Sequence, residues 1–101
     1  MLKNIDVEEL LEIIKKEKRA EIKFFVGNKD ITGCDLVLER ACIADDCLML
    51  RIKKAESEIA IRFSRITSIW LEDRLKTVII NIKNDDETYE IFFLFGWCEN
   101  E

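Results

Sequence analysis

The sequence contains no histidine, no proline and only three glycines in 101 residues. The lack of histidine removes the commonest general base and the commonest neutral metal ligand together. Gly27, Gly33 and Gly96 never cluster, so no phosphate-cradling loop is available. Neither Ser-x-x-Lys nor Gly-x-Ser-x-Gly occurs, and any Ser or Cys nucleophile would have to use Lys or a carboxylate as its base. Catalysis is therefore not expected. No apolar run reaches the length that spans a bilayer. The opening Met1-Leu2-Lys3-Asn4 passes straight into charged, periodic sequence without the apolar stretch of a secretory signal. No membrane association is expected, and a cytoplasmic location is the default.

Hydrophobic residues make up 49 % of the chain and charged ones 37 %, the balance of an ordinary globular protein. The length suits one domain, residues 1–101, with a core that needs neither disulfides nor metals. A formal net charge of −5 weakens non-specific binding of nucleic acid, which draws on Lys and Arg to neutralise phosphates. A local basic patch remains compatible with it. Cys34, Cys42 and Cys47 are separated by seven and four residues and Cys98 is far away, whereas structural zinc sites take ligands from tight knuckles. The thiols are read as free and reduced, and no metal or cofactor is expected. Asp45-Asp46, Glu72-Asp73 and Asp85-Asp86-Glu87 each fall in a turn-like stretch, where neighbouring carboxylates face different ways into water.

Asp6 is a candidate N-cap, with Glu9 as its capping-box partner and Ile5 and Leu10 as a hydrophobic staple. Val7, Leu10, Leu11 and Ile14 then recur at helical spacing as far as Lys18, and Glu12 and Lys16 can pair one turn apart. From Ala20 the period becomes two, with Ile22, Phe24 and Val26 on one face and Glu21, Lys23 and Phe25 on the other. Gly27-Asn28-Lys29-Asp30 reads as a tight reversal into a second strand, Ile31 to Glu39, in which Gly33 marks a bulge or bend. Leu48–Ile52 and Ile59–Phe63 supply two more strands. A single helical turn over Ser64–Thr67 follows, then a short strand, Ser68–Leu71. A hairpin of Thr77–Lys83 and Thr88–Phe95 ends the chain.

Two surfaces stand out. Phe92, Phe93, Phe95 and Trp97 crowd the last strand and its exit, so that apolar side chains occupy both of its faces. Such a strand is either central in the sheet or covered by the helix, or it presents a partner surface built on Phe92, Leu94 and Trp97. Lys15, Lys16, Lys18 and Arg19 form a basic cluster at the end of the helix. The helix dipole favours cations there, so the cluster also has a purely structural explanation.

The order of these elements over Val7 to Leu71 resembles the Sm-like fold in its bacterial, Hfq-like branch. The resemblance is carried by the helix, Ile22-Lys23-Phe24-Phe25-Val26, Ile31-Thr32-Gly33, Leu48–Ile52 and the segment Ile61 to Ile69. It implies ring assembly and binding of U-rich RNA. Phe63-Ser64, however, stands where that family shows its Lys-His pair, and the acidic helix lacks the family's polar amides. A competing similarity links Ile59–Ile69 and the final hairpin to small bacterial pleckstrin-homology-like domains, which normally end in a helix missing here.

The expectation is an α+β domain: one N-terminal helix packed on a small, bent antiparallel sheet or barrel of five to seven strands, ending in a β-hairpin. Its expected function is non-catalytic binding of another protein or of itself as a homo-oligomer. An Sm-like RNA-binding module is the alternative, and a small acidic, phage-type inhibitor of a nucleic-acid-binding enzyme is a third reading.

Overall fold

The computed structural model describes residues 2–17, 20–27, 29–31, 36–53 and 58–95. In chain order these form β1 (Leu2–Asn4), α1 (Val7–Glu17), β2 (Ala20–Val26), β3 (Lys29–Asp30), β4 (Leu36–Ala44), β5 (Cys47–Ile52), β6 (Glu58–Arg62), a 3-10 turn (Phe63–Arg65), β7 (Ile66–Glu72), β8 (Thr77–Asn84) and β9 (Glu87–Phe95). No helix among the described residues is long and apolar enough to cross a membrane.

This architecture corrects the α+β expectation. The described residues are mostly strand (67 %), and one nine-stranded antiparallel sheet dominates them, with a single α-helix. Two reasons account for the difference. β1 and β3 are three and two residues long, too short to show any alternation. The final hairpin is also no terminal appendage: the strand order β1-β7-β8-β9-β2-β4-β5-β6, with β3 beside β2, puts β8 and β9 in the interior of the sheet. The second predicted strand, Ile31 to Glu39, is described as β4 over Leu36–Ala44, which runs on beyond Glu39, and residues 32–35 lie outside the described residues. The bulge anticipated at Gly33 lies outside the described residues.

The helix starts as the capping box requires. The Glu9 N–H donates to Asp6 Oδ1 at 2.8 Å, and the Asp6 N–H donates to Glu9 Oε1 at 3.3 Å. Each satisfies a donor that the first helical turn would otherwise leave open. The Ile5 N–H donates to Ile69 O at 2.9 Å and Asn4 Nδ2 donates to the same carbonyl at 3.2 Å, which ties the helix entry to β7. Replacing Asp6 with Ala is expected to lower stability by about 0.5–2 kcal/mol. Glu12→Ala, which touches no cap, should cost much less. Chemical denaturation of both variants checks this, and an unchanged midpoint for Asp6→Ala would mean that the cap contributes nothing.

Register sorts the side chains into two faces. Leu71, Val78, Phe93 and Ile22 lie side by side across β7, β8, β9 and β2, and Ile69, Ile80, Ile91 and Phe24 form the next row. With Leu48, Leu50 and Ile52 from β5 and Leu10 and Ile14 from α1, these rows belong to one hydrophobic core. The helix therefore covers the inner face, where its Ile13 and Glu17 share a groove with Leu71 and Phe95. The sheet's two far sides are joined by only the three residues of the 3-10 turn between β6 and β7, so it has to curl strongly. Arg51 on the other face binds Glu39 at 2.9 Å and Glu58 at 3.6 Å, bracing β4, β5 and β6.

Candidate functional site

Alternation along β9 sends Phe93 and Phe95 into the core and leaves Phe92 and Leu94 on the opposite, outer face, both half-buried. Register then decides their neighbours. Phe92 stands opposite Ile79 on β8 and Lys23 on β2, and Ile79 stands opposite Trp70 on β7. Phe25 is diagonal to Phe92, with ring centroids 4.9 Å apart and planes tilted by 57°. Trp70, Ile79, Phe92 and Phe25 thus form one apolar strip across four adjacent strands, extended by Leu94 in the neighbouring row. The strip's rim is polar and internally satisfied. Trp70 Nε1–H and Asn81 Nδ2–H both donate to Ser68 Oγ, at 3.1 and 2.9 Å, and Lys23 meets Glu21 at 3.7 Å.

Two of the three side chains singled out from the sequence, Phe92 and Leu94, therefore share one face. Trp97 lies outside the described residues. Sequence reasoning missed Phe25, Ile79 and Trp70. Phe25 had a legible signal, as the one apolar side chain on the polar face of its strand, and Trp70 sits in Ile69-Trp70-Leu71, where alternation fails.

Of the basic cluster, Lys15 and Lys16 are exposed on α1, while Lys18 and Arg19 lie outside the described residues. Lys15 lines a groove together with Glu8 and Glu12, and Lys16 lines a different one with Glu17 and Asp73. Carboxylates thus stand in both grooves. Cys42 is exposed and Cys47 half-buried, both as free thiols, and Cys34 and Cys98 lie outside the described residues. No group of three or more potential metal ligands occurs among the described residues.

A further concavity, of about 350 Å³, opens beside β6 at the hairpin end of β9, away from α1. Phe24, Ile59, Ile61, Ile82 and Ile91 give it an apolar lining, and Arg62 and Arg65 stand at its margin. On its rim the Tyr89 hydroxyl donates to Glu87 Oε2 at 2.6 Å, and that hydrogen bond to the carboxylate holds the phenol above its ordinary value. Compared with protein-family models, with curated proteins and with solved structures, the chain matches none, and its function has to be argued from these two surfaces.

Proposed function

We propose that this chain is a non-catalytic protein-binding module that pairs with a second copy of itself through the outer face of β7, β8, β9 and β2. The observation that carries the reading is the strip of Trp70, Ile79, Phe92 and Phe25, which faces away from the core. The only helix among the described residues is committed to the other face, its Leu10 and Ile14 buried in the same core as Phe93. A contiguous patch of large apolar side chains with a polar rim has the composition of an interface centre, where aromatic residues are enriched and charges depleted. Pairing of identical patches about a two-fold axis is the commonest route to a dimer. Light scattering on the purified chain tests it: a dimer is expected, and a parent protein that is monomeric overturns the reading.

RNA binding has less support. The two described lysines of the helix-end cluster, Lys15 and Lys16, share their grooves with carboxylates, and the chain is acidic overall. Single-stranded RNA sites combine a continuous cationic track with exposed stacking rings. Titration with U-rich and A-rich single strands at physiological salt is expected to show weak or no binding. Sub-micromolar affinity would instead promote the Sm-like RNA-binding reading.

A further inference from the structure

We propose a second binding site, sharing only Phe25 with the self-association strip, in which β6 accepts an extended segment of another protein carrying alternating acidic and apolar residues. β6 pairs only with β5 among the described residues, so its other edge presents backbone N–H and C=O groups without a ladder partner. The cleft beside it is lined by four consecutive residues of that strand, Ile59 to Arg62. Successive side chains of a strand point to opposite faces, so four in a row line a cleft only where it runs along the strand's edge. An incoming strand would therefore meet both the free backbone and, at alternate positions, the apolar floor made by Phe24, Ile82 and Ile91.

Charge selects the partner. Arg62 and Arg65 are exposed at the margin, and neither is paired with a carboxylate among the described residues. Among the residues that line the cleft only Glu90 carries a carboxylate, and its strand position places it on the outer face with Phe92, while Glu87 stands on the rim bound by the Tyr89 hydroxyl at the hairpin end. In a chain of net charge −5 this is a locally cationic border around an apolar trough. Acidic side chains alternating with β-branched ones would reach the guanidinium groups while their neighbours fill the floor, and charge-assisted hydrogen bonds to Arg are the stronger kind.

The test uses the heptapeptide acetyl-Asp-Ile-Glu-Val-Asp-Ile-Glu-amide, a counterpart with Lys at every acidic position, and two versions N-methylated at alternate residues, one in each frame. The acidic peptide is expected to bind and to shift amide resonances of β6, and the Lys peptide is not. One N-methylated frame should abolish binding and the other preserve it, because only alternate N–H groups of an added strand face its neighbour. Arg62→Glu and Arg65→Glu, with circular dichroism confirming their fold, should each weaken binding by about tenfold or more. The Phe92→Glu variant should bind as the parent does, which separates this site from the self-association face. The proposal is overturned if the acidic peptide fails to bind, if both N-methylated peptides bind equally well, or if decanoate binds in an Arg62-dependent way while no peptide does. The last result would make the cleft a site for a free anionic amphiphile.

Discussion

Phe93→Ala is expected to cost about 3–5 kcal/mol, a large part of the roughly 5–15 kcal/mol that holds a domain of this size together. Phe93 is fully buried and is the largest side chain in the core to be so. It stands between Val78 and Ile22, both also fully buried, and near Phe95, with ring centroids 6.3 Å apart. Truncation there removes the ring's transfer free energy and leaves a void lined by side chains from three strands, which packing at crystal density cannot close. Phe92 is the immediate neighbour in the chain, has the same chemistry and lies on the other face. Its truncation to Ala in the monomer should cost only about 1–2 kcal/mol, from the ring contact with Phe25 and the partial burial. Chemical denaturation at protein concentrations low enough to keep every variant monomeric makes the comparison. Equal midpoint shifts would show that the two faces of β9 are alike, against the register described above.

That contrast between neighbours marks what could be read from the sequence. The period of two in Ala20–Val26, the hairpin through Asp85-Asp86 and the capping box at Asp6 and Glu9 are local signals, set by backbone sterics and by hydrogen bonds a few residues apart. All three recur in the structure. Where β8 and β9 lie in the sheet is not local. Ile91–Phe95 reads as apolar on both faces whether the strand is central or covered by a partner, and β9 proves to be central, between β8 and β2, with one face still outside the core. The central-strand reading therefore holds, and the partner-surface reading rests on that outer face as a proposal.

The outer strip was only half legible for the same reason. Phe92 and Leu94 announce themselves by breaking the pattern of a single strand. Trp70 and Phe25 join them only through the pairing of β7 with β8 and of β2 with β9, a matter of register between segments far apart in the chain. The cleft beside β6 had no sequence signal at all. It depends on the sheet's path from β2 through β4 and β5 to a strand with no further neighbour among the described residues. Arg62 and Arg65 look like ordinary surface cations until the fold sets them at one cleft with Phe24, Ile82 and Ile91 from other strands.

The strip's half-buried place on the outer face leads to the sharpest expected outcome: Phe92→Glu should be a folded monomer. The substitution puts a carboxylate on the outer face, beside Lys23 and Ile79, where in a single chain it can keep its water. In a symmetric dimer the same position lies at the middle of the strip, so each chain would bring its own new carboxylate into a desolvated contact, where the one cation across from it, Lys23, is already engaged by Glu21. An unpaired charge in such a place is far costlier than the apolar contact it replaces, and association should weaken by about 100-fold or more. The core is untouched, because Phe92 faces away from Val78, Ile80 and Phe93. Far-ultraviolet circular dichroism should therefore match the parent while light scattering falls to the mass of one chain. Ala44→Glu, at an exposed position on β4, adds the same charge away from the strip and should leave the dimer intact. If Phe92→Glu unfolds, Phe92 belongs to the chain's own core. If the variant stays dimeric, the copies meet through some other surface, and the strip of Trp70, Ile79, Phe92 and Phe25 does not mediate the association.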